Sequence, residues 1–251
     1  YGCLMIVSNE LESFSEEKLG LLNEMASDIS FGIHTLRVRE ERVQALKLLR
    51  ESKRDLEAAY DATLEGWSRA LELRERETAG HSFRVMTMTM MLAREMGIPE
   101  DQMVHIRRGA LLHDIGKMGI PDSILLKNDQ LTEEEWVLMR QHPVMAQHLL
   151  ENIAYLAPAM EIPLFHHEHW SGTGYPYGLA GEQIPLAARI FSVVDVWDAL
   201  TSQRPYHPAW TSEETLTYLV KNANVLFDPM VVSKFIGVLN KLNVFEQQLV
   251  E

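Results

Sequence analysis

The sequence predicts a mainly α fold, an all-helical bundle preceded by a long coiled-coil helix and a short β-strand. Three observations support this prediction. Residues 36–73 contain no proline and a single glycine, as a long helix requires. Two capping boxes, at residues 132–135 and 211–214, mark helix starts further along the chain. Pro and Gly residues separate the other stretches whose apolar residues have helical spacing.

Composition limits the class of protein. The 251 residues are 46% hydrophobic and 24% charged, as in soluble globular proteins, and could hold one large domain or a domain with part of another. The formal net charge of −13 argues against a DNA-binding scaffold. We expect no membrane segment or secretory leader and, with Cys3 as the single cysteine, no internal disulfide. These features favour a cytoplasmic protein.

The first residues predict a strand, a polar loop and a helix. A β-type run covers residues 2–8, and the helix begins at Ser15 with two acidic residues in its first turn. This order resembles the end of a GAF sensory domain, although an unrelated α/β fragment is the alternative. We therefore assign residues 1–36 to the C-terminal piece of a GAF-like domain. Because the chain starts at Tyr1 within a predicted strand, we expect it to be part of a longer protein.

Residues 37–68 are predicted to form a coiled-coil linker helix. Leu46, Leu49, Leu56 and Trp67 belong to a seam that steps by three and four residues. The charged residues between them form a solvated face. We expect a parallel homodimer through this helix, which would carry a signal from a sensor to the following domain.

The rest of the chain predicts helices that bring potential metal ligands together. The first expected helix covers residues 82–96, the second runs from about Asp101 towards His113, and the third runs from Thr132 to His142. A fourth begins at Pro143, a fifth includes residues 164–170, and a sixth covers residues 186–201. The last two begin at Thr211 and at Pro229.

Eight residues along these helices are candidate ligands of divalent ions. A lone His-Asp pair is more often an exposed polar corner than a site. Here, however, Glu77 and His81 share one helix face, and Asp195 lies in an apolar helix where an unpaired carboxylate is unfavourable. The set comprises Glu77, His81, His113, Asp114, His142, His166, His167 and Asp195. Eight donors exceed the ligands of one ion, so two or three ions are predicted.

Four motifs carry a family resemblance. They are His113-Asp114-Ile115-Gly116-Lys117, His166-His167-Glu168, Gly172-Thr173-Gly174-Tyr175-Pro176, and residues 195–202 followed by Arg204-Pro205-Tyr206. In this order they resemble the HD-GYP family of metal-dependent phosphohydrolases, with a likeness from about Trp67 to Phe235. We therefore assign residues 69–251 to an HD-GYP catalytic domain with an HD-type helical bundle.

The resemblance implies a phosphodiesterase of bacterial second-messenger signalling. It implies hydrolysis of cyclic di-GMP to linear pGpG and on to GMP, with iron favoured over manganese and three ions favoured by Glu77. The alternatives are 3',3'-cyclic GMP-AMP as substrate, a different HD-type phosphohydrolase such as a nucleotidase, or a binding module with little turnover. That module would recruit a GGDEF-type protein through the Gly-Tyr-Pro loop, residues 172–181, which contain Gly174-Tyr175-Pro176.

The resemblance also implies residue roles. His113, Asp114 and Lys117 are expected to be catalytic, and Lys117, Gly174, Tyr175, Pro176 and Arg204 to bind substrate. Lys117 near cations suggests a phosphate between them, although a solvated lysine at a helix end is the alternative. Arg204 offers a second phosphate contact, and Tyr175 a ring for a base or a phosphate.

Two positions depart from the family pattern, His207 where Lys or Arg is usual and Ser171 where Asp is usual. The histidines outside the ligand set, including His207, are expected to be surface or core residues.

Overall fold

A computed structural model describes residues 5, 7, 9, 15–75, 80–203 and 208–248, with side chains up to residue 242. The predicted strand at residues 2–8 lies largely outside the described residues, as do Glu77, Arg204 and His207. The mainly α fold is confirmed, and the described residues contain isolated bridges but no sheet. No helix among them is long and apolar enough to cross a bilayer.

The ten α-helices have the following bounds. They are α1 (Glu16–Glu75), α2 (His81–Glu95), α3 (Glu100–Leu111), α4 (Asp122–Leu125), α5 (Glu133–Met139), α6 (His142–Leu150), α7 (Glu161–Phe165), α8 (Leu186–Thr201), α9 (Ser212–Lys221) and α10 (Pro229–Gln248). Three 3-10 turns, Ile115–Gly119, Ala154–Ala159 and Gly181–Gln183, lie between them.

The chain divides into two compact units, Tyr1–Tyr60 and Asp61–Glu251. The helix predicted at Ser15 and the predicted linker helix form one continuous helix, α1. Residues of α1 up to Tyr60 belong to the first unit, and those from Asp61 onwards belong to the second. Neither predicted boundary, after residue 36 or after residue 68, coincides with a helix end. In the first unit, apolar side chains of α1 such as Leu36, Leu46 and Leu49 are exposed.

Side-chain caps start two of the shorter helices, as predicted. Thr132 accepts a hydrogen bond from the Glu135 amide, and the Glu135 carboxylate accepts one from the Thr132 amide. The same reciprocal pair joins Thr211 and Glu214. Each box satisfies amides that a helix start leaves without partners.

Two predicted helix ends were wrong. Helix α5 ends at Met139 instead of reaching His142, and His142 instead of Pro143 begins α6. The Gln141 amide donates to the Leu138 carbonyl and closes a short turn between these helices. Likewise α7 ends at Phe165, so the His166-His167 pair follows the helix. Helix α8, by contrast, has the predicted bounds.

The core of the second unit surrounds α8. Its residues Ile190, Phe191, Val193 and Val194 are fully buried against apolar side chains of α2, α3 and α10. Burial of this apolar surface is the main force that holds the helices together. A smaller cluster around Leu112 and Leu150 packs the 3-10 turn Ile115–Gly119 near α6.

Ion pairs and backbone contacts fix the end of α1 within the second unit. Arg74 donates to the carbonyls of Lys117, Met118 and Ile120 and to the Asp122 carboxylate. Further back on α1, Asp61 pairs with Arg107 and Arg108 of α3. The turn after the His113-Asp114 pair is therefore held by α1.

Candidate metal centre

Seven of the eight predicted ligands converge in the second unit. Their side chains come from the start of α2, the residues after α3, the start of α6, the residues after α7 and the middle of α8. They form an Asp114 cluster (Asp114, His142, His166 and His167) and an Asp195 cluster (His81, His113 and Asp195). Within each cluster the potential ligand atoms lie within 4.8 Å of one another. Glu77, the eighth, is outside the described residues.

Asp114 belongs to one cluster and also faces the other. Its Oδ1 is 3.4 Å from Nε2 of His142 and 3.7 Å from Nε2 of His166. Its Oδ2 is 3.0 Å from Nε2 of His113, in the other cluster. A carboxylate with one oxygen facing each group of imidazoles has the geometry to bridge two cations.

Three histidines, His113, His142 and His166, are oriented with Nε2 towards the two clusters. The Nδ1 atom of His113 lies 2.9 Å from the carbonyl oxygen of Ala110. The Nδ1 atom of His142 lies 2.8 Å from the carbonyl oxygen of Met139, and that of His166 lies 3.0 Å from the carbonyl oxygen of Ile162. Because a carbonyl oxygen can only accept, each Nδ1 carries the hydrogen. The Nε2 lone pair is then free to bind a metal ion, which is the usual arrangement of histidine ligands. The donor set and its orientation therefore fit a metal centre.

His81 is held by a carboxylate instead of a carbonyl. Its Nδ1 lies 2.7 Å from Asp198 Oδ2, and its Nε2 lies 3.4 Å from Asp195 Oδ1. Asp198 also accepts two hydrogen bonds from Arg84, at 2.7 and 2.9 Å. Although burial opposes ionisation of Asp198, the hydrogen bonds from His81 and Arg84 lower its pKa to about 2. Asp198 thus carries the charge that orients the ring.

The N-terminus of α2, where His81 lies, is capped by a side chain of another helix. Both oxygens of Glu72, on α1, accept backbone hydrogen bonds, one from Gly80 at 3.2 Å and one from Ser82 at 2.7 Å. Gly80 has a positive φ of 76° at the helix cap, a conformation that glycine adopts without strain. Sequence reasoning missed Glu72 because its partners lie eight and ten residues away, beyond the spacing of a capping box.

Two imidazoles of the Asp114 cluster, His142 and His167, favour the neutral form that binds metal. Burial, followed by the nearby His166, lowers the pKa of His142 to about 4. Burial and the two neighbouring histidines also lower the pKa of His167 well below its ordinary value. The pKa of His113 is instead raised to about 9, since the charge and hydrogen bond of Asp114 outweigh the effect of burial. The negative charge of Asp114 therefore favours a protonated His113, whereas burial outweighs that charge at His142 and His167.

Lys117 is paired with two carboxylates. Its Nζ lies 2.7 Å from Asp114 Oδ2 and 3.0 Å from Glu75 Oε2. The Glu75 side chain is 7% exposed, and its Oε1 has no hydrogen-bond partner among the described residues. Sequence reasoning missed Glu75, because no local spacing connects the end of α1 with a lysine 42 residues later.

The Gly-Tyr-Pro loop packs directly on a predicted ligand. The buried Glu168 carboxylate accepts hydrogen bonds from the amides of Tyr177 and Leu179, at 2.7 and 2.9 Å. The Tyr175 ring stacks on His167 with a centroid distance of 4.6 Å and an interplanar angle of 26°. A Cβ on Gly174 would overlap backbone atoms of residues 167–169. The loop therefore has a fixed shape beside the Asp114 cluster.

Ser171, which departs from the family pattern, and the described histidines outside the predicted ligand set lie around this loop or away from the two clusters. Ser171 contacts Thr173 through their hydroxyls at 3.0 Å, and His169 Nδ1 lies 3.1 Å from the same Thr173 hydroxyl. His34 and His148 are exposed and His105 is half-buried. None of these four histidines belongs to a ligand cluster within the described part of the chain.

Comparisons with known proteins give a consistent family. The model of the family described as "HD domain" matches residues 66–231. The chain is 40% identical over 197 residues to the cyclic di-GMP phosphodiesterase response regulator RpfG of Xanthomonas campestris, covering 78% of this chain and 52% of that protein. It is 34% identical over 188 residues to the 3'3'-cGAMP-specific phosphodiesterase 3 of Vibrio cholerae, covering 74% and 41%.

A solved structure shares the fold. The HDG"Y"P protein Bd1817 of Bdellovibrio bacteriovorus superposes with a TM-score of 0.53 at 22% identity, covering 64% of this chain and 51% of that one. The chain spans about half the length of the relatives it matches. With a family match over residues 66–231 that includes all seven clustered ligands, the chain belongs to the HD domain family.

Proposed function

We propose that this chain is a metal-dependent phosphodiesterase that hydrolyses cyclic di-GMP to linear pGpG and on to GMP in bacterial second-messenger signalling. The observation that carries the proposal is the position of Asp114 between two clusters of imidazole and carboxylate ligands. A relative that covers 78% of this chain is named a cyclic di-GMP phosphodiesterase, which supports the choice of substrate. The site belongs to an HD-GYP type of catalytic domain at residues 69–251.

The proposed ligands are the seven clustered residues together with Glu77. Imidazole and carboxylate donors fit iron, manganese or zinc. The resemblance to the HD-GYP family favours iron, and through Glu77 a third ion. Bound divalent ions would act as Lewis acids that polarise the phosphate and lower the pKa of a water ligand. Of the chain's own residues, Asp114 bridges the two clusters. His81, His113, His142 and His166 each keep Nε2 directed at the centre through an Nδ1 hydrogen bond.

Two cations and one ring are proposed to hold the substrate. Lys117 contacts a phosphate oxygen of the substrate while its pairs with Asp114 and Glu75 keep the ammonium beside the centre. Arg204 provides a bidentate contact to phosphate. Tyr175 lies beside His167 and can stack on a base or donate its hydroxyl to phosphate, since burial raises its pKa and keeps that hydroxyl protonated. Gly174 and Pro176 give the loop its shape.

A second substrate has a specific observation in its favour. The Vibrio cholerae relative that covers 74% of this chain is named a 3'3'-cGAMP-specific phosphodiesterase. Both cyclic dinucleotides carry two phosphodiesters, so the metal centre alone does not discriminate between them. A binding module that turns over slowly and recruits a GGDEF-type protein through the Gly-Tyr-Pro loop is the third candidate.

The test is product analysis beside metal counting. The protein is incubated anaerobically with iron(II) or manganese and with cyclic di-GMP or 3',3'-cyclic GMP-AMP, and the products are separated by chromatography. Accumulating GMP with about three ions per chain supports the proposal and the role of Glu77. Asp114→Asn should abolish hydrolysis, whereas Asp101→Asn, at an exposed position in the first turn of α3, should not. No turnover of either substrate by metal-loaded protein would contradict the proposal.

We also propose that α1 mediates a parallel homodimer and connects a GAF-like piece (residues 1–36) through a coiled-coil linker (residues 37–68) to the catalytic domain. Exposed apolar residues of the predicted seam, Leu46, Leu49 and Leu56, support this assembly. Light scattering at micromolar concentration should give twice the mass of one chain. A monomer would contradict it.

A further inference from the structure

Helix α5 presents an aromatic and a cationic side chain next to the Gly-Tyr-Pro loop. Trp136 and Arg140 lie four residues apart on α5 and its C-terminal end, so they share one face. The Arg140 guanidinium carbon is 5.8 Å from the Trp136 ring centroid and 5.9 Å from the Tyr175 ring centroid. Both distances are within cation–π range. We call Trp136, Arg140 and Tyr175 the rim stack.

The rim stack adjoins the Asp114 cluster. Tyr175 stacks on His167, and its ring centroid lies 6.4 Å from that of His142. Arg140 also precedes His142 by two residues, so Tyr175 and Arg140 both adjoin ligands of one cluster. Trp136 is 40% exposed and Arg140 is exposed, so a bound molecule can reach them.

Arg140 is a cation that the fold leaves available. Lys117 and Arg84, the other basic side chains described beside the clusters, are held by carboxylates. By contrast, within the described residues no carboxylate forms an ion pair with Arg140. In a chain with a formal net charge of −13, an anionic ligand depends on such local cations. Contact with two rings limits the motion of the guanidinium, which reduces the entropy lost when it binds an anion.

We propose that the rim stack binds the part of the cyclic dinucleotide that is not being cut. Arg140 contacts the second phosphate, and the exposed face of Trp136 stacks on a base. This inference rests on the proposed function, in which the reacting phosphate lies at the Asp114 cluster. A cyclic dinucleotide then has one phosphate and two bases left over. A planar guanidinium matches phosphate, an indole face matches any base, and binding energy from such remote groups can orient the reacting bond.

The direct test measures binding without turnover. The affinity for cyclic di-GMP is determined by calorimetry in the presence of chelator for the unaltered protein and for Arg140→Ala, Arg140→Lys and Trp136→Ala. Loss of one stacking or phosphate contact should weaken binding roughly tenfold in each Ala variant. Arg140→Lys should recover only part of the loss, because lysine keeps the charge without the planar fork.

Matched controls separate the rim stack from general effects of charge and ring removal. Arg94→Ala removes an exposed arginine that lies roughly 20 Å along α2 from His81. Trp67→Ala removes a tryptophan whose exposure, 41%, is close to the 40% of Trp136. Because Trp67 belongs to the proposed coiled-coil seam, light scattering checks that this variant keeps the mass of the unaltered protein. Both controls should bind cyclic di-GMP as the unaltered protein does. Equal affinity of Arg140→Ala and Arg94→Ala for cyclic di-GMP would overturn the inference.

Steady-state kinetics on two substrates complete the test. Bis(p-nitrophenyl) phosphate carries a phosphodiester but neither a nucleobase nor a second phosphate. Arg140→Ala should raise the KM for cyclic di-GMP about tenfold more than that for bis(p-nitrophenyl) phosphate, whereas equal losses on both substrates would contradict a role in recognition. If the unaltered metal-loaded protein hydrolyses neither substrate, the proposed function fails, and the affinities in chelator still decide whether the rim stack binds the dinucleotide.

Discussion

At the scale of single residues, Asp198 shows how a side chain that need not touch an ion can determine a metal site. It accepts from His81 Nδ1 at 2.7 Å and is itself held by Arg84. We expect Asp198→Asn to weaken metal binding roughly tenfold or more, because a neutral amide orients and polarises the imidazole less well. Chelator competition with counting of bound ions measures the change. Asp101→Asn is the exposed control, and an unchanged affinity in Asp198→Asn would show that His81 needs no charged partner.

Glu168 has a comparable role in the Gly-Tyr-Pro loop. Its two oxygens accept from two separate amides of the loop, and the side chain is 3% exposed. In Glu168→Gln the new NH2 group faces an amide that also donates, so one buried backbone group loses its partner. We expect a loss of about 2 kcal/mol in the free energy of unfolding, measured by urea denaturation. Glu182→Gln, at an exposed position, should change it little; equal effects of the two would refute this account.

At the scale of elements, the approach of the 3-10 turn Ile115–Gly119 to α6 brings Asp114 within reach of His142. A Cβ added at Gly116 would overlap the His142 carbonyl oxygen and approach the Ala146 nitrogen to 2.6 Å. Gly116→Ala must therefore separate these elements. We expect it to lower the free energy of unfolding by about 1–3 kcal/mol and to reduce the number of bound ions.

Gly66→Ala is the matched control for this prediction. Gly66 lies within α1, and a Cβ there would meet nothing within 4 Å. Alanine has the higher helix propensity, so this variant should be about 0.5–1 kcal/mol more stable than the unaltered protein. If Gly116→Ala were as stable as Gly66→Ala, the close approach would not matter for stability.

The elements also show which parts of the fold the sequence could predict. The bounds of α8 and the caps at Thr132 and Thr211 were predictable because periodicity and capping depend on neighbours within a few residues. The ends of α5 and α7 were not predictable from the sequence, since a turn and packing against other helices decide where these helices stop. The ligand residues were recognisable by type and motif. Glu72 and Glu75 were not, because only the folded chain brings them to their partners.

At the scale of the whole molecule, the clusters connect helices that are far apart in sequence. Ligands from the starts of α2 and α6, from the residues that follow α3 and α7, and from the middle of α8 meet at the two clusters. An ion bound to either cluster therefore holds several helices together, and the unfolded chain cannot reproduce that arrangement. Metal binding should consequently stabilise the folded second unit.

Calorimetry with and without metal tests this coupling. At a free ion concentration about 100 times its dissociation constant, one site should add about 2.7 kcal/mol to the free energy of unfolding, so chelator should lower the melting temperature by several degrees. Asp114→Asn should lose most of this shift, because Asp114 faces both clusters. Asp101→Asn should keep it. If chelator left the melting temperature of the unaltered protein unchanged, the clusters would not bind the ion tested. If chelator lowered the melting temperature of Asp114→Asn as much as that of the unaltered protein, the stabilising ion would bind elsewhere.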